Sequence, residues 1–165
     1  MNEEEKIRVA EANLDRLLDW VSRIDAKSAV VLGGNTAMLG VLATLAPAPH
    51  LWTKQTVILG AISTVCPFAS LICVYLANYP QTKKPSTSLN FFGGIAKHTL
   101  AEYQKAFTEL SSRDYLNDLL EQIHRNSEIV IGKFRALKWA YRALLIGVIP
   151  WALCLYYFRT FSDSH

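Results

Sequence analysis

Charge is missing from three stretches of this chain. Ser28 to Ala46, Gln55 to Tyr79 and Ala143 to Phe158 are runs of 19, 25 and 16 residues without Asp, Glu, Lys or Arg, although 19% of the 165 residues are charged. Soluble helices alternate a polar and an apolar face, so these runs argue against a soluble bundle. At a rise of about 1.5 Å per residue the first two cross a hydrocarbon core of ~30 Å. The third does so if it starts near Trp139 and Arg142 snorkels to the surface. Catalytic motifs are missing as well. No GxSxG, HExxH or P-loop occurs, and His50, His98, His124 and His165 are scattered, so no enzyme is expected and no catalytic residue is assigned. Cysteine is sparse: Cys66, Cys73 and Cys154 all fall in the apolar runs, at no metal-site spacing. They read as small packing residues, with neither disulfide nor metal nor cofactor. A secretory signal is lacking too, because the first 24 residues are acidic and periodic.

What is present is a lopsided distribution of Lys and Arg. Residues 1–27 hold five, 47–55 one, 79–142 ten, and the tail after Phe158 one. By the positive-inside rule the N-terminus is cytoplasmic and the C-terminus periplasmic. Trp52, Trp139, Tyr141, Trp151, Tyr156 and Tyr157 lie near the span ends, as interfacial aromatics do. The expectation is an all-α integral membrane protein, oligomeric, with three transmembrane helices and a cytoplasmic helical bundle formed by helix extensions. Its segments are a cytoplasmic amphipathic helix (1–27), transmembrane helix 1 (28–46), an outer loop (47–55), transmembrane helix 2 (56–78), a cytoplasmic loop and helical lobe (79–138), transmembrane helix 3 (139–158) and an outer tail (159–165).

Ile7, Ala10, Leu14, Leu17, Val21 and Ile24 recur at helical spacing, and no Gly or Pro intervenes before Gly33. One long helix is therefore expected from the N-terminus into the first span. Within that span Ala26, Ala29, Gly33, Ala37, Gly40 and Thr44 form a stripe of small residues, and Gly60, Ser63, Pro67, Ser70, Val74 and Ala77 form another in the second. Small stripes let helix backbones approach closely in lipid, so spans one and two are expected to pack as a hairpin along them. Pro67 is expected to kink span two. After the breaker-rich PQTKKPSTSLN (80–90), FFGGIAKH opens a helix reaching about Leu110, and Ser111 in SSRD caps a new one. Leu116, Leu119, Ile123, Val130, Phe134, Leu137 and Tyr141 carry a near-heptad stripe into span three, interrupted by Ser127.

Asn35 lies opposite the first small stripe, on a face with Lys27, Val31, Met38 and Leu42. It either makes an interhelical hydrogen bond or lines a pore between protomers, and Met38 is a pore candidate with it. Lys27 fits an interfacial anchor, whereas Asp25 calls for a cationic partner such as Arg142 or Lys138; together the two could form a charged gate. The FFGGIAKH segment offers two stacking rings, Phe91 and Phe92, a flexible Gly93-Gly94, and the start of a helix bearing Lys97 and His98. It could take a nucleotide, or the two rings could dip into the membrane. Arg125 and Lys133 complete the candidate ligand-binding set. Residues 79–142 carry ten basic against six acidic residues, a balance that attracts a nucleotide or anionic lipid alike.

Three segments in order carry a resemblance: RIDAKSAVVLGGNTAML, then FFGGIA followed by Glu102-Tyr103, then YLNDLLEQIHRNSEIVIGKFRALKWA. Over roughly residues 12–158 the chain resembles the Pycsar transmembrane effector family of bacterial nucleotide-signalling antiphage defence. Its layout is also similar to the small membrane effector of the Hailong defence system, where a nucleotidyltransferase product acts on the channel. The resemblance implies a bacterial inner-membrane homo-oligomer, taken here as a tetramer. Its pore or membrane damage would arrest infected cells under control of a nucleotide second messenger, a cyclic nucleotide or short oligonucleotide, made by a cognate nucleotidyltransferase or cyclase. Asp25, Lys27, Asn35, Phe92, Gly93, Asp118, Gln122, Asn126 and Lys133 are the positions that align with the family pattern. Some relatives carry a separate cyclic-nucleotide-binding domain for which 165 residues leave no room, so the nucleotide is expected to meet the helical lobe, or control to come from another protein. The alternative is a non-conducting membrane anchor or scaffold for a cytoplasmic partner.

Overall fold

Asn2 starts the first helix, its side-chain oxygen accepting the Glu5 N–H at 2.8 Å. Glu3, Glu4 and Glu5 then place three carboxylates in a first turn whose dipole favours them. With no breaker before the prolines at 47 and 49, that helix runs unbroken as α1 (Glu3–Leu45). In the computed structural model, which describes residues 1–79 and 88–162, a 3₁₀ turn (Pro49–Leu51) leads to α2 (Lys54–Asn78), capped by Thr53. Short α3 (Phe92–Ile95) and α4 (Leu100–Thr108) precede α5 (Ser112–Ser162). Ser111 caps α5 as its sequence suggests, accepting the Asp114 N–H at 3.1 Å. Most of the PQTKKPSTSLN loop lies outside the described residues. Among the described residues three helices, α1, α2 and α5, contain windows long and apolar enough to cross a membrane.

Contacts divide the chain into two units: Met1–Arg23 with Pro80–Gly132, and Ile24–Tyr79 with Lys133–His165. In the first, Ala10 on α1 and Leu119 on α5 are buried, and Ile7, Leu14, Leu17 and Val21 are half-buried, so the apolar periodicity of the N-terminal segment marks its inner face. Ser127 does not break α5; its hydroxyl bonds back to the Ile123 carbonyl at 2.8 Å.

The second unit packs the three apolar segments. Its buried line is Ile24, Ser28, Val31, Asn35 and Leu42 on α1, Ser63, Pro67, Ser70, Val74 and Ala77 on α2, and Leu137, Ala140, Gly147, Cys154 and Phe158 on α5. The small stripe of α2 is thus buried as its spacing suggests. The small stripe of α1 is not: Ala26, Ala29, Gly33, Ala37, Gly40 and Thr44 are all exposed, and a Cβ on Gly33 or Gly40 would meet nothing within 4 Å. The polar residues decide the rotation. Leaving the Asn35 side-chain N–H groups unpaired in hydrocarbon costs roughly 4–8 kcal/mol, far above what a glycine contact returns, so α1 turns Asn35 inward and carries Ser28, two turns earlier on the same face, with it.

Within this unit α2 and α5 approach closely at Gly147. A Cβ on Gly147 would sit 2.8 Å from Cys66 Cβ and 3.3 Å from Pro67 Cδ, so no other residue fits there without separating the helices. Gly147→Val is expected to lower stability by about 1–3 kcal/mol through overpacking. Gly34→Ala, whose new methyl would first meet Leu144 at 4.0 Å, is expected to stay near wild type. Denaturant unfolding in detergent micelles compares the two.

Candidate functional site

Asn35 is completely buried, and its side-chain nitrogen spends both protons inside the second unit. One goes to the Val31 carbonyl at 2.9 Å, a turn back on α1, and the other to Ser70 Oγ on α2 at 2.8 Å. Ser70 in turn donates to the Ala140 carbonyl on α5 at 2.8 Å. One relay thereby joins all three helices. Two further contacts flank it: Ser63 Oγ shares its proton between the Leu59 carbonyl a turn back at 2.7 Å and the Pro150 carbonyl on α5 at 2.9 Å, and Trp151 Nε1 donates to the Met38 carbonyl at 2.9 Å. Among the described residues, Asn35 Oδ1 and, two turns earlier, Ser28 Oγ have no partner. Each such buried atom costs about 1–3 kcal/mol, so the seam is satisfied only in part.

Of the four residues singled out for a pore or gate, Asn35 and Met38 face this seam, whereas Lys27 is exposed. Lys27 and Asn35 therefore do not share an environment. Asp25 finds a cation, though not Arg142 or Lys138: Lys133 Nζ sits 2.5 Å from its Oδ1. The Lys133 side chain is only 13% exposed, and a nearly buried ammonium needs a carboxylate more than the exposed Lys138 and Arg142 do.

In the first unit the FFGGIAKH segment is anchored by Ser88, which is buried. Its hydroxyl donates to Asp118 Oδ2 at 3.0 Å and accepts from the Asn90 and Phe91 N–H groups and from Gln122 Nε2, at 3.2, 3.1 and 3.1 Å. Asn90 Nδ2 reaches the same Asp118 oxygen at 3.1 Å. The pair Gly93-Gly94 is a packing device, not a flexible joint. A Cβ on Gly94 would lie 2.0 Å from the Ser88 carbonyl oxygen, and one on Gly93 2.7 Å from the Phe91 ring. The Phe91 and Phe92 rings pack against one another at a tilt of 45° with centroids 4.4 Å apart, and Phe92 is 72% exposed.

Lys97 and His98 sit in the turn between α3 and α4 instead of on a helix. The interruption comes from Thr99, which starts a fresh helix through a capping box with Glu102. The Thr99 backbone N–H and hydroxyl bonded to Glu102 hold that carboxyl below its usual range. Arg125 is paired with Glu128 at 2.7 Å, and Lys133 is held by Asp25. The groove beside Leu89 carries Asp114, Asp118 and Glu121, which makes it unfit for phosphate. Tyr115 on α5 donates to Glu11 on α1 at 2.7 Å; that bond, with partial burial and the nearby carboxylates, pushes the phenol up to about 12.

The hydroxyls of Ser70 and Ser88 were not singled out by sequence. Ser70 was visible as a small residue in a stripe, but nothing local announced that it would both accept and donate. Ser88 lies in a segment whose only local signal was loop composition.

A sequence model of the family described as the Pycsar effector protein domain matches residues 9–158. The chain is 24% identical to the Pycsar effector protein GmPycTM of Gulbenkiania mobilis, over 90% of this chain and 96% of that one. No solved structure matches.

Gly94→Ala is expected to free the clamp and raise amide exchange at Asn90 and Phe91, whose N–H groups bond to Ser88 Oγ, by roughly tenfold, because a backbone carbonyl cannot move aside. Gly93→Ala, opposed only by a rotatable ring, is expected to change it little. Tyr115→Phe is expected to cost about 0.5–1 kcal/mol at neutral pH. A raised folded-state pKa means that this bond contributes in full below the ordinary phenol value of 10.0 and is lost as pH rises through about 12. Chemical unfolding of both proteins across that range should show the gap close.

Proposed function

From the premise that this chain belongs to the Pycsar effector family, and is therefore a non-enzymatic membrane effector of antiphage defence, we propose that it acts as a homo-oligomeric ion channel or pore. A nucleotide from a cognate cyclase or nucleotidyltransferase controls it, and its activity depolarises or damages the inner membrane and arrests the infected cell. The N-terminus and the nucleotide-sensing unit face the cytoplasm, in keeping with the excess of Lys and Arg in residues 1–27 and 79–142.

The observation that carries the oligomeric reading is the outward stripe Ala26, Ala29, Gly33, Ala37, Gly40 and Thr44. Helices in lipid associate by close backbone packing, and this face is uncovered among the described residues. A second copy is its natural cover. Asp25 and Lys27 then lie at the mouth of the assembly, and Asn35 with Met38 lies behind the contact, where its unpaired Oδ1 is available if the seam opens. For the ligand, the clamped and exposed Phe92, with Lys97 and His98 in the next turn, supplies a ring for a base and cations for phosphate. A scaffold that docks a protein partner is the second reading, favoured by the exposure of Leu100 and Phe107 on α4.

Planar-bilayer recording of purified protein with its nucleotide tests the channel, and an intact oligomer silent in every ligand state would refute it. Gly33→Leu with Gly40→Leu has room within the protomer, so it should leave the protomer folded while abolishing oligomers in native mass spectrometry, conductance and toxicity. Persistence of the oligomer in that variant would remove the stripe from the interface. Asn35→Leu is expected to change conductance if the seam takes part in opening, whereas a scaffold would keep its phenotype and change only in stability.

A further inference from the structure

Where α1 and α5 enter their uncharged runs, a groove of about 340 Å³ opens within the second unit. Lys27 on α1 and Lys138 and Arg142 on α5 line it, together with Phe134, Tyr141 and Leu145. Among the described residues no carboxylate lines it. The nearest acid in sequence, Asp25, is held by Lys133, and among the described residues neither Lys27, Lys138 nor Arg142 forms an ion pair. Arg142 rests its guanidinium 4.8 Å above the Trp139 ring, a contact that orients the group without neutralising it.

The level of the groove identifies its ligand. Lys27 immediately precedes the uncharged Ser28–Ala46 run, and Arg142 immediately precedes Ala143–Phe158. Both cations thus stand at the edge of the hydrocarbon, where the available anion is a lipid phosphate. Leu145, one turn deeper and 68% exposed, continues the wall in apolar form, and Tyr141 is of the type that sits at headgroup depth. A ligand that is anionic at one end and apolar at the other matches this lining; a free phosphate would leave the apolar wall unused.

We propose that this groove binds one anionic phospholipid of the membrane leaflet, its phosphate held between Lys27 and the Lys138–Arg142 pair and an acyl chain lying along Leu145. Basic pockets between transmembrane helices take such headgroups, and each cation near the surface strengthens the attraction about fivefold. The site is independent of the nucleotide reading above and concerns a different ligand.

Native mass spectrometry of the full-length protein, titrated with phosphatidylglycerol or phosphatidylcholine in the same detergent, tests it. Wild type should retain phosphatidylglycerol in preference to phosphatidylcholine. Lys27→Gln, Lys138→Gln and Arg142→Gln should each weaken retention about fivefold, and the triple variant should lose the preference. Arg125→Gln, which removes a cation paired elsewhere, should behave as wild type, and Lys138→Arg should keep the preference without any question of misfolding. Equal retention of the two lipids, undiminished retention in the triple variant, or loss in Lys138→Arg would overturn the assignment. Displacement of phosphatidylglycerol by millimolar inorganic phosphate would also overturn it, by identifying a site for a soluble phosphate.

Discussion

An amide buried among three apolar helices has to be answered by hydrogen bonds, and in this protein the answer dictates how the helices are turned. Asn35 gives one proton to Val31 and one to Ser70, and Ser70 passes its own to the Ala140 carbonyl. Each interhelical bond in lipid contributes only about 0.6 kcal/mol on average, yet the unmet alternative costs several times as much. The relay therefore acts less as glue than as a constraint on rotation. Once Asn35 must point at Ser70, the faces that α1 and α2 present to each other are settled, and the buried line of Ser63, Pro67, Ser70, Val74 and Ala77 follows.

Two further features depend on that rotation. Because α1 commits its polar strip inward, its small residues are left on the outside, available to another molecule. Because α2 brings small residues to the centre, α5 can approach it closely enough that only Gly147 fits opposite Cys66 and Pro67. Beside the proline of α5 the neighbouring helix adds a bond of its own, because the Pro150 carbonyl accepts from the Ser63 hydroxyl on α2. The Asp25–Lys133 pair ties α1 to α5 within the same unit, using a charge otherwise expensive to bury.

Much of this architecture was legible in the sequence. The three spans, the unbroken α1, the cap at Ser111 and the inner face of the N-terminal segment all follow from charge spacing and apolar period, because both are local properties. Which face of α1 packs was not legible. A stripe of small residues and a strip containing Ser28 and Asn35 each predict a packing face, and only the presence of Ser70 on the facing helix decides between them. The partner of Asp25 was hidden for a similar reason, since three cations on α5 compete and their burial is a tertiary property. In FFGGIAKH the glycine pair suggested mobility, whereas Gly94 is there because the Ser88 carbonyl passes too close for a side chain. A close approach of two backbones leaves no trace in local propensity.

The relay also has a history in time. Asn35 finds its acceptor 35 residues later along the chain, and Ser70 finds its own after a further 70. A nascent α1 released alone into the bilayer carries an amide without its Ser70 partner, and in the α1–α2 hairpin Ser70 still lacks its Ala140 acceptor until α5 has been made. The unit is thus completed by its last helix, and a ribosome stalled before Ala140 would leave in the membrane a hairpin able to take a backbone carbonyl from whatever helix lies nearby. The same polarity that gives the finished protein its geometry makes its unfinished form adhesive.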